Sequence, residues 1–215
     1  MKEKEEERLK LLKEEESKLY DSGKVEYICG IDEAGRGPLA GPVVVGAVIM
    51  PKDSMIEGVN DSKKISEKKR EKLYELITNE AIAYSVGIVD QSVIDDINIL
   101  NSTKKALTES IIDLKVKPDV IMVDALNKID TCGIPYISVI KGDANIYSIA
   151  CASIIAKVTR DRMMYEYDKI YPAYGFAKHK GYGTAFHINA IKENGICMIH
   201  RKSFVKDDWL KNTKV

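Results

Sequence analysis

Apolar and polar positions along this chain switch between two periods, and the switches mark its elements. Residues 26–32 form a short apolar run that ends on Asp32, and residues 42–50 carry the unbroken stretch Val43-Val44-Val45-Gly46-Ala47-Val48-Ile49. Such runs, rich in β-branched residues, fit buried strands. The short turn between them predicts antiparallel pairing. Residues 81–89, 119–124 and 135–140 predict three more strands. The fourth follows a helix and is expected to run parallel to the strand it joins. Helical spacing predicts a helix capped by Ser66 and running to about Thr78, and one over 92–114 with Leu100, Leu107, Ile111 and Leu114 turned inward. A long helix is predicted over 145–167, with shorter ones near 184–193 and 206–211. Three strands in a meander, then two parallel strands with helices between, make a mixed five-stranded α/β sheet.

Residues 1–22 read as a separate charged helix ending at Ser22-Gly23. Leu9, Leu12, Glu16 and Leu19 give it a thin apolar stripe, so it is expected to dock weakly on a main domain spanning 23–215. The region near the C-terminus is expected to be helical.

Charge changes the picture more than composition does. The chain is neutral, yet residues 1–140 hold 20 Lys and Arg against 26 Asp and Glu, and residues 141–215 hold 13 against 7. A final third at net +6 either attracts a polyanion or is a solvated face of scattered lysines. The four cysteines are far apart and lack paired spacing, which predicts reduced thiols and a cytoplasmic protein. No stretch approaches the roughly 20 apolar residues of a membrane span.

The chemistry concentrates where the first strand ends. Asp32-Glu33 runs straight into Ala34-Gly35-Arg36-Gly37. Paired carboxylates suit a hard divalent cation. Glycines let backbone approach a ligand closely, and arginine meets phosphate with a bidentate fork. Together they suggest work on a phosphodiester. Asp124 ends the fourth strand, and Asp143 follows the fifth. If the first and fourth strands are parallel neighbours, Asp32, Glu33 and Asp124 share one crevice and Asp143 reaches its mouth. Taken singly, Asp124 is equally a turn residue and Asp143 a helix cap. Asp161 is a rival acid, read here as one half of an ion pair on its helix.

The run Ile31-Asp32-Glu33-Ala34-Gly35-Arg36-Gly37-Pro38-Leu39-Ala40-Gly41-Pro42 closely resembles the N-terminal motif of ribonuclease HII. Met122-Val123-Asp124-Ala125-Leu126, Lys141-Gly142-Asp143-Ala144 and the helix from Ser148 to Asp161 resemble later motifs of that family, in its order, with Cys151 where alanine is expected. Lys180-Gly181-Tyr182-Gly183-Thr184 resembles its tyrosine loop, and Asn60-Asp61-Ser62-Lys63-Lys64 a further segment. The resemblance covers about residues 26–200. It implies the ribonuclease H-like fold and an endoribonuclease that cuts the RNA strand of RNA–DNA hybrids. It also implies cleavage on the 5′ side of ribonucleotides embedded in duplex DNA, leaving 3′-hydroxyl and 5′-phosphate ends. By position, Asp32, Glu33, Asp124 and Asp143 would bind two Mg2+ or Mn2+ ions. Gly35, Arg36 and Gly37 would read the ribose 2′-hydroxyl, and Tyr182 the deoxyribose that follows. Lys63 and Lys180 would contact phosphate, with Lys157 and Arg160 as further contacts. The protein is expected to act as a monomer on nucleic acid, without a membrane. Ribonuclease HIII fits less well, because residues 1–22 are too short for its extra domain. A module that binds hybrids without cutting would lack part of the acidic quartet. A phosphate-binding NTPase would need a G-x-x-x-x-G-K-[ST] run, which is absent.

Overall fold

The computed structural model describes residues 3–210. Its elements are α1 (Glu3–Leu12), α2 (Glu14–Asp21), β1 (Ile28–Ala34), β2 (Val43–Ile49), α3 (Glu67–Glu80), β3 (Ala83–Val89) and α4 (Gln91–Ile112). There follow β4 (Val120–Asp124), β5 (Tyr136–Val139), α5 (Gly142–Asn145), α6 (Tyr147–Ile170), α7 (Phe176–His179), α8 (Ala185–Asn194) and α9 (Asp207–Leu210). The sheet order is β3-β2-β1-β4-β5. β2 pairs antiparallel with β1 and β3, and β4 runs parallel to β1 and β5. The expected mixed sheet is present, meander first and parallel pair second.

Strand alternation sends side chains into two helical layers. Cys29, Ile31, Val45, Ala47, Ile121 and Val123 cluster with Ile94, Ala106, Leu107 and Ile111 of α4. On the other face, Val48 and Met50 join Leu9, Leu73, Ile77, Tyr147 and Ile154 from α1, α3 and α6. β2 is buried at every position because it lies inside the sheet and is covered on both faces. α6 sits directly on β1. A Cβ added at Gly30 would fall 2.2 Å from the Ser148 carbonyl carbon, so no larger residue permits this approach. A third cluster joins Leu39 and Ala40, after β1, to Met164, Phe176, Ile191 and Ile199. It packs the C-terminal region behind the turn that follows β1.

Tertiary contacts override several local expectations. The leading segment is two helices rather than one, and its attachment is more than a thin stripe. Leu9 is fully buried, and Glu16 is 3% exposed. The Glu16 carboxylate accepts the Ser148 N–H at 2.7 Å. α6 has no side-chain cap of its own, so an acid from α2 serves its positive end. Lys13 Nζ donates to the carbonyls of Lys52 and Ser54, each at 2.7 Å. Within α4, Asn98 takes φ +67 and re-phases the helix, which leaves Leu100 exposed instead of inward. Ser66 occupies the cap position of α3 but makes no side-chain cap bond. β1 continues to Ala34, so Asp32 and Glu33 lie inside the strand. The residues leading into the 180–184 loop form α7. The final helix is Asp207–Leu210, and its expected end at Lys211 lies outside the described residues.

The contact at Gly30 yields a direct test. Gly30→Ala should destabilise the protein at the upper end of the ~1–3 kcal/mol typical of overpacking, since the clash is with helix backbone. Urea unfolding of both proteins measures this. An unchanged midpoint would mean that α6 does not rest on β1 at this position.

Candidate active site

Parallel pairing places the first two acids. β1 and β4 are in register through Ile31 and Val123, so Asp32 and Asp124 each follow one position beyond that pair. Strand parity puts both on the face with Met122, which packs against Ile149 of α6. Asp124 Oδ1 accepts the Gly142 N–H at 2.7 Å. This bond ties the end of β4 to α5, which carries Asp143. Glu33, next to Asp32, reaches toward Arg36, with Oε1 and Nη1 3.4 Å apart. Lys63 Nζ lies 3.3 Å from Asp143 Oδ2.

The acids do not share this space comfortably. Burial raises the Asp32 carboxyl well above the usual range, and the charges of Glu33, Asp124 and Asp143 push it the same way. The Glu33 N–H, donated to Asp32 Oδ1 at 2.8 Å, only partly opposes this. Burial also raises Glu33, against the pull of Arg36, and raises Asp124, against the Gly142 N–H. For Lys63, burial acts downward, but the charges of Asp143 and Asp32 outweigh it and the net shift is upward. Among the described residues, no three His, Cys, Asp or Glu side chains are gathered into a ready chelate. The protein's own groups occupy the carboxylates instead: Lys63 on Asp143, the Gly142 amide on Asp124, Arg36 near Glu33. The donor set nevertheless fits a hard cation in kind, being all oxygen and short of positive charge at Asp32.

A cleft of about 250 Å³ runs from Asp32 and Glu33 to the glycine-rich turn, lined also by Gly35, Arg36, Gly37, Lys63 and Tyr182; Asp124 and Asp143 do not line it. Gly35 has φ +99, and a Cβ there would meet Arg160 Nε at 2.2 Å. A Cβ at Gly37 would lie 3.7 Å from the Tyr182 ring, so turn and tyrosine are neighbours. The Arg36 side chain is 45% exposed and the Tyr182 residue 47%. Lys63 is likewise exposed, with its side chain open to solvent.

Two buried arginines hold this turn from behind. Arg201 is fully buried and donates to the carbonyls of Gly35 (2.6 Å), Arg36 (3.0 Å) and Gly41 (3.0 and 2.8 Å). Arg160 is 1% exposed and donates to Pro42, Ala40 and Lys180 carbonyls at 3.0, 3.1 and 2.9 Å. Burial lowers them to about 9 and about 10, so both stay charged at neutral pH. Sequence reasoning missed Arg201. Its only local signal is a basic residue set between buried Ile199-His200 and a polar run.

Arg160 is therefore a clasp within the protein, although it also lines the cleft. Lys180 differs from expectation. It is 8% exposed, its ammonium donates to the Ala177 carbonyl, and it lies 4.0 Å from the Tyr165 ring centroid and 3.9 Å from Glu67. Its stem packs inward because φ +51 at this residue turns the chain back on itself. Lys157 lines the cleft but pairs with Asp161 at 2.6 Å. Asp161 also faces Arg70 at 3.7 Å, in keeping with a structural ion pair.

A mixed five-stranded sheet with acids at the ends of its parallel strands, facing a glycine-arginine turn, defines a nuclease of the ribonuclease H-like fold. The family model described as Ribonuclease HII matches residues 29–211. A ribonuclease HII from Acetivibrio thermocellus is 58% identical over 192 residues, covering 89% of this chain and 74% of that one. One from Clostridioides difficile is 55% identical over 204 residues, covering 95% and 79%. The crystal structure of ribonuclease H2 from Pyrococcus horikoshii superposes with a TM-score of 0.71 at 28% identity, covering 83% and 93%. The chain belongs to the ribonuclease HII family and is a metal-dependent endoribonuclease. The match runs past His200, where the motif resemblance stopped, and so takes in Arg201.

The crowding at Asp32 has a measurable sign. A carboxyl raised on folding favours the folded state below its ordinary value near 3.8, and that benefit is lost as pH rises through the folded value. In the absence of metal, Asp32→Asn should raise the melting temperature at pH 7, and the gain should vanish toward pH 4. Thermal unfolding of both proteins in chelator across this range checks it. A variant less stable than the parent at pH 7 would show that Asp32 is not electrostatically crowded.

Proposed function

We propose that this endoribonuclease hydrolyses the RNA strand of RNA–DNA hybrids and cuts on the 5′ side of ribonucleotides embedded in duplex DNA, leaving 3′-hydroxyl and 5′-phosphate ends. One observation carries the reading: Asp124 and Asp143 lie near enough to raise the Asp32 carboxyl, and Asp32 and Glu33 line a cleft that also holds the Gly35–Gly37 turn and Tyr182. The resemblance of these same segments to the family's motifs supports it. The four carboxylates would hold magnesium or manganese, two ions per site, which supply an activated water and offset charge on the leaving oxygen.

The chain's own residues select the substrate. The Gly35 and Arg36 carbonyls point inward to Arg201. In a trans peptide the next N–H points the opposite way, so the Arg36 and Gly37 amides face away from Arg201. Two fixed donors there suit a 2′-hydroxyl, the group that distinguishes RNA from DNA. Tyr182, against Gly37, is placed to pack on the sugar that follows. Lys63, exposed beside Asp143, meets phosphate when cations replace it at the carboxylate. On this reading the enzyme works as a cytoplasmic monomer with its cysteines as free thiols. Among the described residues, no helix is long and apolar enough to cross a membrane.

Cleavage mapping on a DNA duplex with one ribonucleotide, with and without divalent metal, tests the reading. A single cut 5′ of the ribonucleotide is expected, only with metal, and none in all-DNA duplex. Asp124→Asn should lower the rate more than about a hundredfold, since even outer-shell metal partners alter activity by about 10–100-fold. Near-normal turnover by this variant at saturating magnesium would remove Asp124 from the site.

A further inference from the structure

Behind Tyr182 lie the chain's three histidines, His179, His187 and His200. The rings of His179 and His187 stack at 4.5 Å, and His187 and His200 are 5.2 Å apart. His187 is fully buried and His200 is 2% exposed. Burial pushes both down to about 4, so both are neutral at pH 7. A neutral imidazole has one donor and one acceptor nitrogen, and the partners here allow one arrangement. The Cys197 N–H donates to His200 Nδ1 at 2.9 Å, which puts the His200 proton on Nε2. That Nε2 is 3.0 Å from His187 Nε2 and donates to it. The His187 proton is then on Nδ1, which is 3.0 Å from the Tyr182 carbonyl, an acceptor only. Donation runs one way, from Cys197 through His200 and His187 to Tyr182.

The end point of this chain is informative. Tyr182 is half-exposed between Gly181 and Gly183, so its own side-chain packing does not fix its place. Its backbone is anchored instead. The Tyr182 N–H donates to the His179 carbonyl at 2.9 Å, and the Gly181 N–H donates to His179 Nδ1 at 3.2 Å. The Tyr182 carbonyl accepts two bonds, one from the Thr184 N–H at 2.8 Å and one from His187 Nδ1 on the inside. His200 also forms a backbone bridge with Ala40 and directly precedes Arg201, which holds the Gly35–Gly37 turn. The two cleft elements are thus held from adjacent residues of one segment. A buried polar network with every member paired fixes geometry more narrowly than apolar packing does.

We propose that His187 and His200 are positioning residues for junction recognition: their one-way hydrogen-bond relay holds Tyr182 against Gly37, and so sets where the sugar after the ribonucleotide is read. This rests on the reading of Tyr182 given above. It assigns the pair no contact with substrate and no part in the carboxylate site.

The test is a double-mutant cycle. His187→Phe keeps a ring but removes the imidazole donor to Tyr182, leaving only the Thr184 N–H on that carbonyl. The ratio of kcat/KM on an embedded ribonucleotide to that on a uniform hybrid is measured for the parent, His187→Phe, Tyr182→Ala and the double variant. His187→Phe should lower the ratio by about three- to tenfold in the parent, and should add nothing once Tyr182 is gone. His187→Asn, whose amide can still donate, should recover part of the loss. Equal losses on both substrates in both backgrounds would make the histidines mere packing and overturn the proposal. A ratio that Tyr182→Ala does not change would overturn the reading of Tyr182 itself, and the proposal with it. If His187→Phe does not fold, nitrogen-detected imidazole NMR of the parent decides. Protons on His187 Nδ1 and His200 Nε2 at pH 7 are expected, and the opposite tautomer in either ring breaks the relay.

Discussion

The seating of α6 on β1 at Gly30 is the contact on which the rest of the molecule depends. β1 carries Asp32 two residues further on. α6 is preceded by α5, which carries Asp143, and bears Arg160 further along its length. Strand and helix backbones touch without a side chain between them. The backbone positions that bear the acids and the arginine are therefore held at a fixed separation. Glu16 adds to this from outside by occupying the free amide end of α6. The leading helices accordingly brace the element that frames the cleft.

The molecule treats its buried charges in two opposite ways. Arg160 and Arg201 lie deep in the fold, and their donors go to main-chain carbonyls. Burying a cation is costly unless its hydrogen bonds are met, and here seven bonds to the carbonyls of Gly35, Arg36, Ala40, Gly41, Pro42 and Lys180 meet them. The result is a rigid turn. The carboxylates a short distance away are left incompletely offset, with Asp32 the most perturbed. One group of charges stabilises geometry. The other leaves a local excess of negative charge beside the cleft.

The sheet was legible because its signals are local. Uninterrupted apolar runs mark buried strands, and a short turn or an intervening helix decides antiparallel or parallel pairing. The four acids were legible for the same reason, since each falls within or just after such a run. What escaped notice depends on distant partners. Nothing around Arg201 announces that it belongs to a turn 160 residues earlier. Lys180 reads as a solvated base among glycines, yet a left-handed backbone turns it onto Tyr165 and Glu67. Glu16 falls at helical spacing along the thin stripe of the leading segment, yet it is a cap for a helix elsewhere in the chain. The re-phasing of α4 at Asn98, which exposes Leu100, likewise lies beyond any fixed helical period.

The reach of Arg201 also fixes an order of events during synthesis. Its bonds to Gly35, Arg36 and Gly41 close loops of 160 to 166 residues. On a ribosome, β1 to β5 and α6 emerge well before residue 201, so the acidic end of the cleft can assemble while the turn beside it still has free carbonyls. Only when the closing segment leaves the exit tunnel does the turn take its final form. A nascent chain thus carries its cleft acids for some time before the glycine-arginine turn beside them is fixed.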